Sequence, residues 1–186
     1  MAYLVRYREL ELALSFLRWI PTIVGFPIGG LLAIQVATAT DGPGWAALAG
    51  LIAGAVIGTA QWLALRPRVT ALWIPVTAAG MALGLAVAVL ITRGATDLGS
   101  LALLGAVAGV IVGGAQTALL RKWAWPLVVG ASWAAGWAIS TLVIVDEQRG
   151  FATFGLSGAA LVTVATGLAL RGLLGRRPAR TAAVAA

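Results

Sequence analysis

Few side chains in this sequence could do chemistry. Gln61, Gln116 and Thr166 recur at matching places inside long apolar runs. An amide or hydroxyl so placed needs a hydrogen-bond partner, because lipid supplies none. One role for these residues is an interhelical hydrogen bond, typically about 0.6 and at most roughly 2 kcal/mol. The other is a polar ring around a pseudo-threefold axis, lining an inner vestibule. The structural role is preferred. Trp133 and Trp137 lie four apart, deep in an apolar run that also holds Trp123 and Trp125. A flat hydrophobic cofactor, pigment or lipid tail could stack on them, although core packing is the commoner use of such a pair.

Most catalytic chemistries lack their residues. The chain has no His and no Cys, which removes the commonest general base, the commonest metal ligand and all thiol chemistry. No Ser sits in G-x-S-x-G, and no GxxxxGK[ST] loop occurs. Asp41, Asp97, Asp146 and Glu147 are dispersed among three loops, so no metal site is expected. No apolar run holds an ionisable residue at its middle, as proton-coupled pumps and ion-coupled transporters usually do. The expectation is a non-enzyme with no metal and no cofactor, bound lipid aside. An interfacial lipid-modifying enzyme using Arg and Asp is the catalytic reading left over.

The elements that must position these residues are membrane spans. Of 186 residues, 61% are hydrophobic and 10% charged, against about 25% charged in soluble domains. The mean hydropathy is +0.98. Six apolar runs stand out: Trp19–Ala39, Trp45–Leu65, Leu72–Thr92, Leu101–Leu120, Trp123–Val145 and Phe151–Leu170. Each has about 20 residues, enough to cross a hydrocarbon core of about 30 Å as a helix. The net charge of +7 follows the ends of these runs rather than a nucleic-acid-binding patch. With the N-terminus in the cytoplasm, eleven cations lie inside and only Arg93 and Arg149 outside. The positive-inside rule then puts both termini in the cytoplasm. Abundant Ala, Gly and Arg suggest a bacterial source, hence the inner membrane. Ala37-Thr38-Ala39 resembles a signal cleavage site, but the preceding run is too long and follows Glu9 and Glu11. Residues 1–18, with Tyr3, Tyr7, Leu10, Leu14 and Leu17 at helical spacing, read as an amphipathic interfacial segment. Residues 172–186 read as a basic flexible tail.

The runs repeat. Gly50, Gly54, Gly58, Gln61, Leu65 and Arg66 return as Gly105, Gly109, Gly113, Gln116, Leu120 and Arg121. They return again, degenerate, as Gly155, Ala159, Thr163, Thr166, Leu170 and Arg171. The spacing puts the glycines and the polar residue on one helix face. Small residues there allow close backbone approach, the main source of helix packing in lipid. The closing arginines complement helix C-termini and anionic lipid as inner-interface anchors. Trp19-Ile20-Pro21 recurs as Trp73-Ile74-Pro75, and Trp125-Pro126 opens the fifth run. Proline is tolerated in a first helical turn, and Trp beside it suits the headgroup level.

The fold expected is all-α: one domain, residues 19–171, of six transmembrane helices. It is built from three tandem two-helix repeats, about 19–66, 73–121 and 123–171, in pseudo-threefold array. The even-numbered helices, with the glycine ladders, should be the more buried. Mitochondrial carriers also use three two-helix repeats, but their charged Pro-containing motif is absent, so the likeness is topological.

Gly54, Gly58, Gln61, Trp62, Leu63, Leu65 and Arg66, then Trp73 and Gly84, form a pattern that resembles a group of uncharacterised bacterial multi-pass membrane proteins. The copy from Gly109 to Arg121 matches less fully, with Thr117 in place of the Trp. The resemblance implies no activity. The function expected is a non-catalytic accessory or scaffold subunit, packed within a larger membrane complex or a homo-oligomer. The alternative is a small-solute or lipid permease, or the substrate-binding component of a transporter. Gly- and Ala-rich outward faces would favour the first, and a water-accessible cavity ending at Gln61 and Gln116 the second.

Overall fold

The computed structural model describes residues 16–36, 42–66, 68–143 and 155–175. The described residues are helices joined by short connections. A helical turn at 16–19 runs into a 3₁₀ segment, Ile20–Val24, and then α1, Gly25–Val36. There follow α2 (Pro43–Leu65), α3 (Trp73–Thr92), α4 (Leu98–Leu120), α5 (Trp125–Val143) and α6 (Leu156–Gly175). Five segments are long and apolar enough to cross a membrane: Phe16–Val36, α2, α3, α4 and Leu156–Leu173 within α6. The chain is thus a multi-pass membrane protein by length and composition. Helix α5 has 19 described residues, and residues 144–154, which follow it, lie outside the described part.

Local sequence explains the boundaries. Pro43 sits in the first turn of α2, where its missing N–H costs no hydrogen bond, and Gly42 precedes it at φ 117°. Helix α4 starts three residues earlier than its apolar run, because Asp97 caps it. The carboxylate accepts from the Ser100 backbone N–H at 3.1 Å and from the Ser100 hydroxyl. Pro75 lies in the first turn of α3. Its counterpart Pro21 does not open a helix, since the helix already runs at residue 16. Pro21 cannot donate to the preceding turn, and the chain tightens there into the 3₁₀ segment. The boundary expected at Trp19 is therefore not a helix boundary. Residues 1–15 of the interfacial segment and 176–186 of the tail lie outside the described residues.

Successive helices are antiparallel neighbours, and their glycines record the contacts. A Cβ on Gly54 would lie 2.8 Å from the Cα of Ala78, and one on Gly58 3.3 Å from that of Ile74. A Cβ on Gly84 would lie 3.0 Å from the Cα of Ala108. On Gly109 and Gly113 it would meet the Cα atoms of Gly130 and Pro126 at 2.8 and 2.7 Å. Backbones this close leave no room for a side chain, and the dispersion contacts so gained hold helices together in lipid. Helix α6 also reaches the 3₁₀ segment and α1, joining the end of the chain to its beginning.

The expectation that the even-numbered helices are the more buried is not met. Buried residues make up 28% of the span in α2 and 39% of those in α3 and α4. A glycine ladder covers a narrow stripe, and the odd helix it touches is buried along the same seam. The remaining circumference is apolar and outward, with Leu31, Leu83, Leu90 and Leu127 exposed. Leu rather than Gly and Ala marks these faces, as suits contact with lipid tails, so the Gly- and Ala-rich outward faces that would favour a packed subunit are not found among the described residues.

Candidate functional site

The polar residues singled out by sequence come together in the interior. Gln116, on α4, is 1% exposed and makes three interhelical or loop-spanning contacts. Its Nε2 donates to Gln61 Oε1 on α2 at 3.1 Å and to Thr77 Oγ1 on α3 at 3.1 Å. Its Oε1 accepts from the indole of Trp125 at 2.8 Å. Gln61, half-buried, also accepts from the Trp73 indole at 3.1 Å. Thr166, on α6, accepts from the Trp19 indole at 3.1 Å and donates to its own helix at Val162 O.

The tryptophans supply the partners of these polar groups. Trp19, Trp73 and Trp125 are 2%, 0% and 1% exposed, so they face the bundle interior rather than its outer surface. Each turns its indole inward and gives its N–H to a Gln or Thr. A buried indole needs an acceptor, and the amide or hydroxyl one helix away supplies it. The signal was present: Trp73 follows Gln61, and Trp125 follows Gln116, across a short turn. The partner of Trp19 is 147 residues distant and could be found only by treating the chain as closed on itself.

These groups surround a small cavity lined by Ile57, Gln61, Thr77, Met81, Val112 and Gln116 on one side. Trp125, Val129, Trp133, Val162 and Thr166 complete it. It offers about 10 Å³ to the centre of a water molecule, near the minimum for holding one water. Ligand sites for small molecules run to hundreds of Å³. Trp133 is buried against Phe26, ring centroids 6.1 Å apart and tilted by 56°. Trp137 is half-buried, and its ring approaches Gly105. The two therefore take part in helix packing. Sequence reasoning passed over Ser140, whose buried Oγ accepts from the Gly155 backbone N–H at 3.0 Å. Thr163, read from the sequence only as a ladder position, has a buried Oγ1 with no hydrogen-bond partner among the described residues. Thr163 stands where the other ladders have Gly58 and Gly113.

The glycine ladders line the seams. Gly50, Gly54 and Gly58 face α3, and Gly105, Gly109 and Gly113 face α5. Gly155 is half-buried just before α6, and Ala159 is fully buried. The closing arginines stand at one end of the bundle. Arg66 is exposed, with its guanidinium carbon 5.7 Å from the centre of the Trp62 ring. Arg121 is exposed and caps α4 in the left-handed region, φ 55°. Arg171 is half-buried within α6. Among the described residues no group of three or more Asp, Glu, His or Cys could hold a metal. No family model matches the chain, and neither the curated proteins nor the solved structures compared with it include a match.

Proposed function

We propose that this chain is a non-catalytic membrane subunit. Its six helices would be three copies of a two-helix unit about a common axis, all crossing the membrane. It would pack as an accessory or scaffold protein in a larger membrane complex or a homo-oligomer, in the bacterial inner membrane with both termini cytoplasmic. The threefold reading is supported by matched positions that line one cavity: Ile57, Val112 and Val162, one turn from Gln61, Gln116 and Thr166. It is supported again by Trp19, Trp73 and Trp125, each hydrogen-bonded to the polar residue of a neighbouring ladder helix.

One observation carries the functional reading. The polar side chains lining the cavity, Gln61, Thr77, Gln116 and Thr166, are each hydrogen-bonded within the bundle, around a space for about one water. A permease needs convergent polar groups left over for its solute, whereas a rigid packing unit needs them satisfied. Solute flux tests this. Proteoliposomes carrying the protein should leak glycerol, urea and small ions no faster than empty liposomes. A protein-dependent flux, abolished by filling the cavity with Val112→Trp, would establish the permease reading instead.

A further inference from the structure

We propose that the α4–α5 corner, Arg121-Lys122-Trp123, is a headgroup site for anionic phospholipid. Three features meet there. First, the end of the bundle that carries this corner also carries Arg66, Arg68 and Arg171, while Asp97, the one acid among the described residues, lies at the opposite end. The field at this end is positive and faces the phosphate level of a bilayer. Second, Trp123 is 88% exposed, the most exposed large apolar side chain on the described surface. The tryptophans that serve packing are buried; this one projects beside two cations, where an indole partitions among headgroups. Third, Arg121 holds a left-handed backbone at the end of α4. That conformation disfavours residues with a Cβ and is usually given to glycine. A chain with 24 glycines has an arginine there instead, as it also has at Arg93 at the end of α3, so the turn keeps a guanidinium where glycine would be easier.

The same residues give the site its chemistry. The Arg121 guanidinium can hold a phosphate through two N–H donors, and the Lys122 ammonium adds a point charge. A zwitterionic headgroup brings its own cation and gains less from this pair. The preference therefore falls on lipids with net negative charge.

Native mass spectrometry of delipidated protein, incubated with equal amounts of phosphatidylglycerol and phosphatidylcholine, tests the site. The unaltered chain should carry several-fold more phosphatidylglycerol than phosphatidylcholine. The double variant Arg121→Gly, Lys122→Gln should fall toward parity, and it should fold, because glycine suits the turn. Arg93→Gly, the same change at the other end of the bundle, should keep the preference. Raising the salt toward 1 M, where screening acts over about 3 Å, should weaken the preference of the unaltered chain, a readout that needs no variant. Equal binding of both lipids by the unaltered chain would overturn the proposal. So would a double variant with the full preference, or displacement of the lipid by millimolar inorganic phosphate, which would make the site one for free anions.

Discussion

Replacing Gly109 with alanine should destabilise the bundle, while the same change five residues on should not. A Cβ at Gly109 would sit 2.8 Å from Gly130 Cα, 2.8 Å from Val129 O and 3.1 Å from Gly130 N. All three are backbone atoms, so no rotamer change relieves the clash, and α5 must move away. Ordinary carbon contacts lie at about 3.5–4.0 Å, so the shift is close to 1 Å along the seam. Overpacking of this kind costs about 1–3 kcal/mol. Because every obstacle is backbone, the upper half of that range, about 2–3 kcal/mol, is expected. At Gly114 an added Cβ meets nothing within 4 Å. There alanine brings only its helix propensity, between zero and about 1 kcal/mol of gain. The gain is at the low end if α4 stays helical in the unfolded reference state. The assay is reversible unfolding of detergent-solubilised protein by a denaturing detergent, followed by Trp fluorescence. A Gly109→Ala protein within about 0.5 kcal/mol of the unaltered chain, or more stable than Gly114→Ala, would refute the close-packed seam.

Gln116→Leu strips the acceptor from Trp125 and the donor from Gln61 and Thr77, and should cost about 1–3 kcal/mol in the same assay. Thr166→Val breaks one contact between helices, to Trp19, besides the hydroxyl's bond to its own helix at Val162 O, and should cost roughly 0.6 kcal/mol; equal losses would mean that the Gln116 network adds nothing. Asp97 is fully exposed, and its carboxyl is held below its ordinary value of 3.8 by the Ser100 hydroxyl and backbone N–H. Its folded value is the depressed one, so the cap contributes fully above 3.8 and is lost as pH falls through the folded value. Asp97→Asn should flatten unfolding against pH in that acid range while leaving neutral stability nearly unchanged; an unaltered profile would remove the cap from the account. The chain has no cysteine of its own, so single cysteines at Arg68 and Ala95 can be labelled cleanly. They should react from opposite sides of the membrane, and same-side labelling would break the antiparallel order of α2, α3 and α4.

Much of this architecture was legible because lipid imposes simple rules. An apolar run of span length must be helical, and glycines at spacing four must face something close. Gly54 and Gly109 satisfy both conditions, and the structure sets them against the backbones of α3 and α5. The inward turn of the tryptophans was missed because interfacial preference concerns depth and does not name the acceptor an indole will find. Trp73 and Trp125 each had a glutamine within reach across a turn. The start of α4 was missed because Asp97 and Ser100 are polar and fall outside an apolar window. The 3₁₀ segment at Ile20–Val24 was invisible because Pro21 looks the same in sequence whether a helix begins there or already runs through it. Burial was misjudged because a ladder buries both partners of a seam, not only the helix that carries it.

Native mass spectrometry of the protein extracted gently from its own membrane tests the central claim most directly. A non-catalytic subunit should leave the membrane in a defined complex, with other membrane proteins or with copies of itself at fixed stoichiometry. A lone chain that carries a reproducible small-molecule mass would contradict the subunit reading and point to transport or cofactor binding.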